Sequence, residues 1–197
     1  MATIPVTQGE YTEWRLPSKG TVGILTLIAG ETALFTIFVL AYVFYIGKSV
    51  SGPTPAQVLD IPVFMTICLW SSSLTIWLAE RAIEHGKMNL FKAFWGLTIL
   101  LGGIFLGGTA LEWHRLIYHD GLTISTNLFG TTFYSLVGLH ASHVVIGLIA
   151  LSIVFILAMT GHLKKEHAYR VKTLAMYWHF VDAVWVVVFT VVYILGR

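Results

Sequence analysis

Charge is what this sequence has least of. Only 11% of its 197 residues are Asp, Glu, Lys or Arg, against 56% hydrophobic residues and a mean hydropathy of +0.78. A soluble globule covers its surface with about 25% charged residues, so a water-bathed globular domain is excluded and lipid is the expected solvent. Cysteine is nearly absent. Cys68 stands alone in an apolar run, which rules out an intrachain disulfide and C-x-x-C metal spacing; it reads as a small buried hydrophobe. No apolar run shows sustained period-two alternation, so barrel strands are excluded as well. Residues 1–20 are polar, carry Glu10 and Glu13, and contain no short apolar core with a cleavage site. They are not read as a signal peptide. Trp14, Arg15 and Lys19 are expected at the headgroups.

What is present is long apolar sequence. A helix needs about 20 apolar residues to cross roughly 30 Å of hydrocarbon. Five runs qualify, at about 21–46, 61–84, 90–113, 128–160 and 173–196. The expected fold is all-α: a polytopic membrane helix bundle with five transmembrane helices over 21–197, preceded by a segment over 1–20. The connectors hold helix breakers and caps. Ser51-Gly52-Pro53-Thr54-Pro55 cannot continue a helix, and Asp60 before Pro62 suggests a helix start. Gly86 can end the second span, Asn89 can cap the third, Asp120-Gly121 reads as a turn, and Gly161 can close the fourth. The fourth run exceeds what a bilayer needs, so tilt or projection is expected. Lys and Arg set the orientation. Nine lie on the side of the N-terminal segment and the second-third and fourth-fifth loops, and three (Lys48, Arg115, Arg197) on the other. The N-terminus is therefore expected in the cytoplasm and the C-terminus across the membrane.

Ionisable groups inside a bilayer are costly and need partners. Glu31 lies about 15 Å into the first span at 1.5 Å per residue. His140 and His143 share one face of the fourth span, and His179 and Asp182 repeat that spacing in the fifth. Glu112 stands near the end of the third span, one turn before Arg115. Facing histidines could ligate haem, but His140 and His143 cannot clamp one haem from both sides, and the plainer reading is hydrogen bonding between helices by neutral imidazoles. Glu31 and Asp182 could relay protons; without a continuous polar chain, acids that interlock helices are favoured. An unpaired carboxylate in hydrocarbon is expensive, and Glu31 is expected to pair with His143 or His140 of the antiparallel fourth helix. Gly103 and Gly107 form a G-x-x-x-G pair suited to close backbone approach. Ser71-Ser72-Ser73 and Thr75 can hydrogen-bond between helices, and Trp70, Trp77, Trp95 and Trp113 read as core or interface residues. A small transporter would show broken helices or an inverted repeat, and neither is seen.

Two longer motifs carry a family resemblance. The stretch Phe129-Gly130-Thr131-Thr132-Phe133, followed by Gly138-Leu139-His140-Ala141-Ser142-His143-Val144-Val145-Ile146-Gly147, is similar to subunit III of haem-copper terminal oxidases. So is Tyr177-Trp178-His179-Phe180-Val181-Asp182-Ala183-Val184-Trp185. Gly30-Glu31 and Ala110-Leu111-Glu112-Trp113 also look like family positions. The resemblance implies a five-span bacterial form that lacks the first two of the seven spans of mitochondrial-type members. It further implies a non-catalytic subunit of a proton-pumping oxidase that reduces O2 to water in the aerobic respiratory chain of the cell inner membrane. Such a subunit itself holds no haem, copper or other metal; those groups belong to partner subunits. It packs on subunit I, with subunit II and a small subunit IV as further partners, binds phospholipid, supports sustained turnover and proton uptake, and has no nucleic-acid role. Glu31, Glu112, His140, His143, Trp178, His179 and Asp182 are its buried polar or structural positions. Within this resemblance the electron donor, cytochrome c or quinol, stays open. Other readings are an accessory subunit of a nitric oxide reductase and a haem-binding membrane anchor. The chain departs from the seven-span forms at Lys172, where those carry an acidic residue, so their lipid contacts there do not carry over.

Overall fold

The structure, a computed structural model, describes residues 19–197. Trp14, Arg15 and the rest of the headgroup segment lie outside the described residues, as does the side chain of Lys19. The elements are α1 (Lys19–Tyr45), α2 (Pro55–Val58), α3 (Val63–Glu84), α4 (Met88–Tyr118), α5 (Leu128–Met159), a 3-10 turn (Lys165–His167), α6 (Ala168–Phe189) and a π-helical turn (Thr190–Leu195). No strand occurs among the described residues. Among the described residues, five helical stretches are long and apolar enough to cross a membrane, the last being Lys165–Leu195.

The boundaries follow local chemistry. Gly86 (φ 72°) and Gly161 (φ 76°) adopt the left-handed conformation that ends a helix, closing α3 and α5 where the sequence suggests. Asn89 does not cap the third span. Lys87 occupies that position, because Gly86 has already turned the chain and α4 begins at Met88. α4 then runs to Tyr118, past the expected 113, since no breaker precedes Gly121 (φ 65°). The proline-rich connector holds one helical turn, α2. Pro55 supplies a preset φ at its first position, and Gln57 Oε1 accepts from Thr54 N at 3.0 Å. Asn127 caps α5 by accepting from Gly130 N at 2.8 Å.

α5 and α6 form the centre of the bundle. α5 packs on α1, α4 and α6, while α6 packs on α1, α3 and α5, and α3 and α4 form a hairpin. Trp178, on α6, holds four helices together. It is fully buried, and its indole N–H donates to Ser72 Oγ on α3 at 2.9 Å. Its ring lies against Gly102 of α4 and Gly147 of α5, where an added Cβ would come within 2.8 and 2.9 Å of it. Glycine therefore does bring helix and side chain together, though not at the G-x-x-x-G pair. Gly103 and Gly107 point outward with nothing within 4 Å, while Gly102 and Gly108 face the bundle. Further bonds link the helices: Trp95 Nε1 to Leu151 O (2.9 Å), Thr75 Oγ1 to Thr98 Oγ1 (2.7 Å) and Trp185 Nε1 to Thr66 Oγ1 (3.2 Å). Lipid is as apolar as leucine, so such packing and bonding, rather than expulsion of water, specifies the bundle.

At the end opposite the Lys/Arg-rich connectors, the loops are tied to one another. Asn127 Nδ2 donates to Ser51 O (3.0 Å) and Pro53 O (3.1 Å), and Ser49 Oγ accepts from Phe129 N at 3.0 Å. Arg115 pairs with Asp60 and lies 3.7 Å from Asp120. α1 is the most open helix. It buries little of its apolar length within the chain, with Phe35 and Tyr42 its buried side chains.

Candidate intramembrane polar site

The polar residues singled out in the sequence form three separate groups. The first joins α1 to α5: His143 Nε2 lies 3.0 Å from Glu31 Oε2. The expected pairing of Glu31 with the fourth span is thus present, through His143. His143 Nδ1 lies 2.8 Å from Leu139 O. A carbonyl oxygen only accepts, so Nδ1 carries a hydrogen. Nε2 and the Glu31 carboxyl then share one further proton, either as neutral acid and imidazole or as carboxylate and imidazolium. In both forms the pair as a whole is neutral, which suits hydrocarbon. Tyr177 of α6 reaches the same turn, donating to His143 O at 3.3 Å.

His140 behaves differently from the sequence expectation. It is completely buried, and neither ring nitrogen has a hydrogen-bond partner among the described residues. It acts as an aromatic ring instead. It stacks on Trp185 (centroids 5.0 Å apart, 29° between planes) and meets Phe35 and Phe105 edge-on at 6.4 and 5.9 Å. The one-turn spacing does put both histidines toward the bundle. Only His143 is turned far enough toward α1 to meet an acid.

The second group lies midway along α3 and α6. Ser73 donates to Asp182 Oδ2, and its hydroxyl lies 3.0 Å from His179 Nδ1. Asp182 Oδ1 is enclosed with no partner among the described residues. The serine run and Asp182 were visible in sequence; that Ser73 would sit between the acid and the imidazole was not. The third group is at the far end. Tyr193, carried on the π turn, donates to the Glu112 carboxyl, with its oxygen 3.1–3.2 Å from both carboxyl oxygens. Arg115, one turn beyond Glu112, pairs with Asp60 instead. Tyr193 had no sequence signal, because the extra residue of a π turn sets its direction. Among the described residues, no three or more His, Cys, Asp or Glu side chains gather as a metal site. The three groups lie on different helix pairs. What they can do chemically is lock helix register and hold protons locally.

Comparison with known proteins extends the motif matches to the whole bundle. Residues 18–197 match the family described as Cytochrome c oxidase subunit III. The chain is 36% identical over 177 residues to cytochrome c oxidase subunit 3 of Alkalihalophilus pseudofirmus, covering 89% of this chain and 86% of the relative. It is 37% identical over 180 residues to the protein of that name from Bacillus sp. strain PS3, covering 89% and 85%. It is also 32% identical over 176 residues to cytochrome bo(3) ubiquinol oxidase subunit 3 of Pseudomonas aeruginosa, covering 88% and 84%.

Proposed function

Because this chain belongs to the cytochrome c oxidase subunit III family of haem-copper oxidases, we propose that it is the non-catalytic third subunit of a proton-pumping terminal oxidase. In this reading it lies in the bacterial cytoplasmic membrane with its N-terminus inside. It docks on the haem-copper subunit I, in company with subunit II and a small subunit IV, and holds phospholipid in its clefts. Haem and copper belong to the partners. Its contribution is to keep the catalytic subunit active through many turnovers and to support proton uptake.

The observation that carries this reading is the extent of the match, which covers all five membrane helices and both long motifs. The bundle's form agrees with a supporting role. Glu31 with His143 and Asp182 with Ser73 are engaged between helices, and α1 leaves most of its apolar surface open for another protein or lipid. The relatives include subunits of both a cytochrome c oxidase and a quinol oxidase, so the electron donor is set by the partner subunits.

The test is purification through a tag on this chain in mild detergent, followed by identification of the accompanying subunits and a haem spectrum. Haem-bearing oxidase subunits should come with it. Removing the chain from the complex should leave the initial rate of O2 consumption close to normal and shorten the period over which it is sustained. A chain that purifies without any haem-bearing partner, or whose removal leaves sustained turnover unaltered, overturns the reading.

A further inference from the structure

The exposed stripe of α6 runs between α1 and α3. Phe180 turns toward α1, meeting Phe35 at 6.4 Å, while Asp182 and Trp185 turn toward α3. Between those directions lie His179, Ala183 and Val186, each at least partly exposed. α3 adds Trp70, Leu74 and Trp77 along one edge, all exposed and one helical turn apart. Most of this surface is apolar and would suit lipid. His179 does not.

His179 sits within one residue of the centre of the span Lys165–Leu195, and Ser73, which anchors it, is the eleventh of the 22 residues of Val63–Glu84. Both are therefore at mid-depth. With Asp182 as the carboxylate, the single hydroxyl proton of Ser73 goes to Asp182 Oδ2. The bond between Ser73 and His179 Nδ1 must then be donated by the imidazole. This fixes the tautomer and leaves Nε2 as a bare acceptor. Nε2 has no partner among the described residues and is not enclosed by the chain. An exposed acceptor in mid-bilayer is unfavourable unless it meets a donor. Phospholipid cannot supply one: acyl chains carry no polar hydrogen, and the headgroups begin about 15 Å away, half the thickness of the hydrocarbon. Ala183, one turn along, leaves room beside the imidazole for a close backbone approach.

We propose that the α3–α6 face centred on His179 seats a transmembrane helix of another oxidase subunit, one that presents an O–H or N–H donor to His179 Nε2 at mid-depth. This rests on the reading above that the chain docks within an oxidase complex. It adds which face does so, and the chemistry of the contact. Trp70 and Trp77 flank the seat, and the Ser73–Asp182 pair presets its acceptor before docking.

The test uses the whole complex in its native membrane. A photo-crosslinking residue is placed at Ala183, and as a comparison at Ile149, which is exposed on α5. Illumination should join Ala183 to a residue within a membrane helix of another oxidase subunit, identified by mass spectrometry, at a yield several-fold above that from Ile149. In parallel, His179→Gln keeps an acceptor and should retain the partner through detergent washing, whereas His179→Leu should lower retention several-fold. Crosslinking from Ala183 only to lipid, or only to a second copy of this chain, overturns the proposal. If the wild-type chain brings down oxidase subunits but Ala183 does not crosslink to them, the docking reading stands and this face is wrong. If the wild-type chain brings down no oxidase subunit, both fail. Should His179→Leu not assemble, the crosslink from Ala183 in the otherwise unaltered chain still decides.

Discussion

At the residue scale, buried polar groups in this bundle differ in what a substitution should do. Glu31→Gln leaves an amide N–H that can donate to His143 Nε2, so its melting temperature in detergent should stay close to that of the unaltered chain. Glu31→Leu strands the imidazole and should melt lower. Polar contacts between membrane helices average only about 0.6 kcal/mol, so the loss should be small and should appear mainly as loosened packing of α1. A Glu31→Leu chain that melts no lower than Glu31→Gln would show that the pair is dispensable. His140 runs the other way. Its nitrogens have no partner among the described residues, and it packs as a ring on Trp185. An unpaired buried polar group costs about 1–3 kcal/mol, so His140→Phe should melt at the same temperature or higher. A clear drop would reveal a partner that the ring contacts do not suggest.

At the scale of the elements, glycine position on α4 and α5 separates two kinds of site. A methyl group at Gly102 or Gly147 meets the Trp178 ring at less than 3 Å from its carbons. Overpacking of this kind costs about 1–3 kcal/mol, and Gly102→Ala or Gly147→Ala should lower the melting temperature of the isolated chain. Gly103→Ala and Gly107→Ala point into open space and should leave it unchanged or raise it, since alanine is the better helix former by about 1 kcal/mol. Equal effects at all four positions would mean that the Trp178 contacts do not govern the packing. The α5 cap is a second element-scale test. Asn127 caps its own helix and also clamps the α1–α3 connector at Ser51 and Pro53. Cap removal alone costs about 1 kcal/mol. Asn127→Ala should lose more than that, and proteolysis in the 47–62 connector should quicken; Asn127→Asp, which keeps only the cap, should fall between.

For the whole molecule, the nine-to-three split of Lys and Arg sets the expected orientation. In a Cys68→Ser background, a cysteine at His162, exposed in the α5–α6 connector, should react with a membrane-impermeant thiol reagent only after the cells are opened. A cysteine at Ser51, exposed in the α1–α3 connector, should react in intact cells. The reverse pattern would invert the assignment. In that expected orientation the tied loops, with Asn127, Asp60 and Arg115, would face outward.

Five helices and their approximate limits were legible because hydrocarbon thickness imposes a length and a composition that any sequence reading can count. The Glu31–His143 link was legible for a related reason: antiparallel helices of known direction place residues at computable depths, and an acid at depth needs a partner. Rotation about each helix axis was not legible. The spans are apolar on nearly all sides, so no polar face marks which residues turn inward, and only side-chain packing chooses. That choice put Gly102 rather than Gly103 against Trp178, turned His143 and not His140 toward Glu31, and set Ser73 between Asp182 and His179. It also brought Tyr193 to Glu112 through a π turn that neither propensity nor periodicity announces. Depth and direction come from the solvent, which acts on each span separately; rotation and contact come from the fit between spans, which exists only once all five are together.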